Sequence, residues 1–198
     1  MASSSGSAAA TAAFLGAQLL RVFARHRWPD TVEQQQALWQ PMIANFQELS
    51  DYAAKKGVVV ALQNHDNRNL ASTGPDVLRI IRDVDHANLS FIMDTGQWRG
   101  SPGASGDADP EANIYDYMAQ TLPHAGYVRC KIYQIASGRE EVLDCERIAR
   151  LLQRANYNGC ISIVYEGREQ ADRTELIGKA AAHLREVLGI DARAKRRS

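Results

Sequence analysis

This chain of 198 residues has no charge surplus, no cysteine framework and no long apolar run. Lysine plus arginine and aspartate plus glutamate both number 23, so no global field favours nucleic acid or an anionic membrane. The three cysteines, Cys130, Cys145 and Cys160, are odd in number and show no CxxC spacing. That pattern argues against a disulfide scaffold or zinc cluster and favours a reducing, cytoplasmic setting. No apolar stretch approaches the roughly 18 residues of a membrane span. The start, Met1-Ala-Ser-Ser-Ser-Gly-Ser, lacks the basic flank and leucine-rich centre of a secretory signal.

What is present is a cadence. Five short apolar, β-branched runs end in polar residues and are each followed by a helical pattern. They are Leu19–Phe23, Val58–His65, Leu89–Asp94, Tyr127–Tyr133 and Ile161–Glu166. They recur at roughly 31–39 residue intervals, the length of one strand–helix crossover. The intervening helices are expected over Val32–Lys55, from a cap at Asp30 or Thr31 to Gly57, and from Ser72 or Thr73 through Val84. Further helices are expected over Ala112–Leu122, Arg147–Arg154 and Arg173–Leu188. Residues 1–11 read as a flexible leader running into a helix remnant over Ala8–Leu15. Residues 12–190 read as one α/β domain, and 191–198 as a solvated basic tail. Cys130 and Cys160, inside apolar runs, read as small core residues.

Parallel strands joined by helices gather their carboxyl ends on one side, where α/β proteins place their chemistry. Side chains alternate across a strand, so Gln63 and His65 share a face, and Asn64 takes the other. Arg129 and Lys131 pair likewise, as do Ser162, Val164 and Glu166. With Asp94 at its strand end, an inward orientation brings Gln63, His65, Asp94, Arg129, Lys131 and Glu166 to one mouth. Each residue also has a structural reading: Asp94 as a turn carboxylate, His65 as a loop organiser, and Lys131 as the ion-pair partner of Asp94 or Glu166. Trp98 and the Gly/Ser-rich loop through Gly106 either roof a sugar ring or form an ordinary loop with one packed aromatic.

These segments resemble the xylose isomerase-like (β/α)8 barrel superfamily of sugar isomerases, epimerases and endonuclease IV-type enzymes. The carrying stretches are Gly57-Val-Val-Val-Ala-Leu-Gln-Asn-His-Asp66, Val84–Asn88 through Asp94-Thr95-Gly96, and Tyr157-Asn158-Gly159 through Tyr165-Glu166-Gly167. Ala12–Ala17 leading to Arg21-Val22-Phe23 resembles the entry to the family's fourth strand. The resemblance implies a partial TIM barrel of about five parallel β/α units corresponding to strands 4–8. Five such strands cannot close as eight do, and a closed barrel needs about 250 residues. The expectation is therefore a fragment, an assembly of two chains as a homo-oligomer, or an open doubly wound sheet, with the fragment favoured.

The resemblance also implies a divalent metal (Mn, Mg or Zn) held by a glutamate, an aspartate, a histidine and a final glutamate. Those positions carry Gln63, Asp94, Arg129 and Val164 here, so only Asp94 retains a ligand type. Arg129, Lys131 and Arg21 instead put fixed positive charge where the ion would sit. The expected activity is isomerisation or epimerisation of a sugar by proton transfer beside a carbonyl. Asp94, Glu166 and His65 would be acid/base groups; Gln63, Arg129, Lys131, Arg21 and Trp98 would hold a small sugar or sugar acid. The alternative is a non-catalytic sugar- or anion-binding barrel. Endonuclease-like action on nucleic acid is disfavoured by the neutral charge.

Overall fold

The structure, a computed structural model, describes residues 4–24, 29–66, 69–102, 109 and 112–190. Five strands, β1 (Leu19–Val22), β2 (Val59–Gln63), β3 (Leu89–Asp94), β4 (Ala125–Ile132) and β5 (Cys160–Tyr165), fall within a residue or two of the apolar runs. They pair in sequence order, every pair parallel. The helices are α1 (Ser4–Phe14), α2 (Val32–Ala54), α3 (Gly74–Val84), α4 (Ile114–Thr121), α5 (Cys145–Arg154) and α6 (Arg173–Leu188).

Local chemistry sets the helix starts. Thr31, Thr73, Asp144 and Asp172 each accept a backbone N–H from the first turn, and Pro75 occupies an early position of α3 where its missing N–H costs nothing. At the other end of α6, Gly189 adopts φ 66° and closes the helix.

Alternation along the strands divides the side chains between two environments. Leu62, Phe91, Met93 and Val128 join Trp39, Phe46, Ile80, Met118 and Ile148 in the main core between sheet and helices. Cys130 and Ile132 meet Leu176, Ala180 and Leu184 of α6. Ala9 and Ala12 of α1 pack with Leu49 and Ala53 of α2 against Val58 and Val60. The apolar cores therefore lie on one face of the sheet. Sequential order with the core on one side is half of a barrel, not a doubly wound sheet, whose strand order reverses. The opposite, concave face is lined by Leu19, Arg21, Val59, Ser90, Ile92, Tyr127, Arg129, Cys160 and Ser162 around a groove of about 710 Å³.

Two expectations are corrected. The helix of the leader begins at Ser4, so residues 4–11 are helical and small alanines dock them. Cys160 is exposed on the concave face because it begins β5 in the inward phase; Cys130 is buried as expected. A further feature, with no expectation from the sequence, is the register of β4. Phe91 pairs with Ala125 but Ile92 with Tyr127, so β4 carries one extra residue at Gly126. A Cβ there would sit 2.5 Å from Ser90 Oγ, so a larger residue would require that hydroxyl to turn away. The basic tail lies outside the described residues.

Candidate active site

The slip at Gly126 decides what faces Asp94. Continued from Phe91–Ala125, the register would set Asp94 beside the core residue Val128; with the extra residue it pairs with Arg129. Asp94 is completely buried, and its Oδ2 is shared by three groups. Lys131 Nζ lies at 3.5 Å, Arg129 Nε at 3.2 Å, and Gln63 Nε2 donates to it at 3.4 Å. Arg129 Nε is off the hydrogen-bonding line, making this contact an ion pair only. Oδ1 accepts the Gly96 N–H at 3.2 Å. Burial pushes the Asp94 carboxyl above its usual range, and the charges of Lys131 and Arg129 offset only part of that.

Lys131, itself 1% exposed, continues from Asp94 to Glu166, whose Oε1 lies 2.6 Å from Nζ. Glu166 opens to solvent, with a side chain 36% exposed. On the other flank Gln63 Oε1 accepts from both Arg21 Nη1 at 3.3 Å and Arg129 Nη1 at 3.2 Å. Burial, followed by repulsion from Arg129, lowers the Arg21 pKa from its ordinary value. Gln63, Asp94, Arg129, Lys131, Glu166 and Arg21 thus form one connected cluster at the carboxyl ends of all five strands.

Two expected members stand apart. His65 lies beyond Gln63, the last residue of β2, so strand alternation no longer governs it. Its Nδ1 is 3.3 Å from Asp66 Oδ1, and its ring meets Phe23 edge-on at 5.6 Å. Trp98 does not roof a ligand. It is fully buried in the main core, its ring 6.2 Å from Phe91 and 5.8 Å from Tyr117, so no face is left for a sugar. The loop residues 103–106 lie outside the described residues.

Sequence reasoning missed the residues that hold the cluster in place. Asn64 donates to the carbonyls of Asp94 and Gln97, both at 2.9 Å, and accepts the Asp94 N–H at 2.8 Å. Thr95 Oγ1 accepts the Lys131 N–H at 2.9 Å, and the Tyr133 hydroxyl donates to Gly96 O at 3.1 Å. Glu140 gathers four backbone N–H groups, from Tyr133, Gln134, Val142 and Leu143, fixing the chain that leaves β4. Glu169 does the same for Ile135 and Ala136. The Asp-Thr-Gly and Gln-Asn-His strings were visible signals for the first of these; the Glu140 nest had none.

A divalent ion does not fit these residues. No group of three or more His, Cys, Asp or Glu side chains able to hold a metal occurs among the described residues. Asp94, the one retained ligand type, already spends both oxygens on two cations, an amide and a backbone N–H. Neighbouring Val164 offers no donor, and it pairs in register with Lys131. An ammonium and a guanidinium occupy the carboxylate that a cation would need.

A half-barrel of five parallel strands with polar carboxyl ends is consistent with part of a TIM barrel. The chain belongs to the xylose isomerase-like TIM barrel family, whose description it matches over residues 6–187. D-psicose 3-epimerase from Clostridium cellulolyticum H10, solved with D-tagatose, superposes with a TM-score of 0.69 at 15% identity, over 93% of this chain and 69% of that one. An L-ribulose 3-epimerase gives 0.65 at 18% identity, over 98% and 67%. A xylose isomerase-like TIM barrel protein from Mycobacterium smegmatis, solved with magnesium, gives 0.64 at 19%, over 94% and 65%. No curated protein sequence matches the chain. No helix among the described residues is long and apolar enough to cross a membrane.

Proposed function

We propose that the protein is a sugar isomerase or epimerase that moves a proton beside a carbonyl without a metal ion. The observation that carries this reading is the Asp94–Lys131–Glu166 chain, with Glu166 Oε1 2.6 Å from the ammonium and its side chain partly open to solvent. In this reading the Lys131 ammonium, held by buried Asp94, stabilises negative charge developing on the carbonyl oxygen. Glu166 removes the proton from the adjacent carbon and, for isomerisation, returns it to the neighbouring carbon; epimerisation needs a second donor that protonates the opposite face of the original carbon. Gln63, Arg21 and Arg129 hold substrate oxygens, and His65, which stands outside the connected cluster beyond β2, is the candidate for a second proton donor. Asp94 anchors the cations instead of meeting substrate, because it has no exposed surface.

Incubation with a panel of ketoses in D2O tests this reading. We expect deuterium at the carbon beside the carbonyl, undiminished by EDTA and reduced about 10²-fold or more in Glu166→Gln. Absence of exchange with every ketose, or exchange abolished by EDTA, overturns it.

A second reading, a binding protein without catalysis, is favoured by Gln63 and Val164, neutral at two positions where carboxylates are implied. It predicts saturable ligand binding with no deuterium incorporation.

A further inference from the structure

We propose that Arg21 and Arg129 form a docking site for an oxyanion, so that the ligand of this mouth carries a carboxylate or a phosphate. The inference rests on the reading that the concave mouth binds ligand, and it narrows the ligand to an acidic sugar derivative.

The two guanidinium groups converge on a single neutral atom. Arg21 Nη1 and Arg129 Nη1 lie 3.3 and 3.2 Å from Gln63 Oε1, which brings like charges together over an acceptor that neutralises neither. Arg21 has no ion pair among the described residues; its other contact is the Phe23 ring, 5.1 Å from its guanidinium carbon. Arg129 has only Asp94, which Lys131 also claims. Within the hydrogen-bonded cluster three cations face two carboxylates, so one positive charge has no counterpart.

Such an arrangement is poorly stabilised by the protein alone and is completed by an incoming anion. Guanidinium is a planar fork that matches the spacing of carboxylate and phosphate oxygens, and each group keeps further N–H donors beyond the one given to Gln63. Both arginines line the concave groove, next to Ser162, the register partner of Arg129, and to Tyr127. The site is built on strands and so needs little ordering on binding. Arg21 is exposed, which leaves it reachable. The Arg21 pKa is lowered first by partial desolvation and then by the neighbouring Arg129, with Asp94 acting in the opposite direction.

Calorimetric titration of the full chain with inorganic phosphate and with acetate tests the proposal and separates the two sources of oxyanion. At least one should bind saturably, weaken as salt rises, and lose about tenfold or more in affinity in Arg21→Gln. Arg21→Lys should retain part of the affinity. Arg21 is exposed, so these variants fold, and circular dichroism checks that they do. Absence of saturable binding of either anion, or binding unchanged by Arg21→Gln, overturns the proposal. The deuterium-exchange assay reports independently: anion binding without exchange keeps this inference and removes the enzymatic reading, and exchange without anion binding does the reverse.

Discussion

Lys131 and Glu166 meet at 2.6 Å across neighbouring strands, and the same ammonium sits 3.5 Å from a carboxylate with no exposed surface. Removing the lysine strands Asp94 with Arg129 alone. Lys131→Met should therefore cost about 3 kcal/mol of stability, read from urea denaturation, because the buried carboxylate loses one of the two cations that compensate it. Lys131→Met should also abolish deuterium exchange. An unchanged urea midpoint would contradict the central role given to this ammonium.

Gly96 tests how tightly that lysine is held. A Cβ at this position would stand 2.5 Å from Tyr133 Oη and 2.6 Å from Lys131 Cγ. Gly96→Ala should destabilise by about 1–3 kcal/mol through overpacking and displace Lys131 from Glu166, lowering exchange. Gly178, inside α6 with nothing within 4 Å of its would-be Cβ, is the control. There an alanine should add up to about 1 kcal/mol of stability and leave exchange alone.

The raised Asp94 pKa has a signed consequence. Burial lifts it above the ordinary 3.8, so the folded protein holds this proton more tightly than the unfolded chain. Below the unfolded value both states are protonated and the group contributes nothing; as pH climbs through the raised folded value, ionisation in the buried site disfavours folding. Asp94→Asn removes that titration. The stability difference between wild type and Asp94→Asn should therefore shift in favour of wild type as pH falls from neutrality toward about 4. Urea midpoints at several pH values measure it. A pH-independent difference would mean that the carboxyl is not displaced upward.

Trp98 separates packing from recognition. Its indole is enclosed between Phe91 and Tyr117, and its Nε1 has no hydrogen-bond partner among the described residues. Trp98→Ala should cost about 3–5 kcal/mol, and Trp98→Phe less, since no hydrogen bond is lost. Phosphate affinity in Trp98→Phe should match wild type; a loss would place the ring at the ligand after all.

The parts of this molecule legible in the sequence are those governed by short-range rules. Apolar β-branched runs placed the strands, and Thr31, Thr73 and Gly189 marked helix ends because capping depends only on adjacent residues. Period-two alternation gathered Gln63, Asp94, Arg129, Lys131 and Glu166 correctly. It failed at His65, two residues past where the strand stops, and it sent Asn64 away although its amide grips the backbone of Asp94. The burial of Trp98 depends on α4, whose packing no local pattern announces. The slip beside Gly126 was equally invisible, since each strand looks regular when read alone.

That slip puts control of the site's electrostatics in a residue without a side chain. A ladder that took Gly126 in as an ordinary pair would instead present Cys130 and Ile132 to the concave side and press a guanidinium and an ammonium into the oily layer beneath α5 and α6. Mutational pressure on the chemistry of this mouth thus falls on one peptide unit, about five strand steps upstream of Lys131, as surely as on the charged groups themselves.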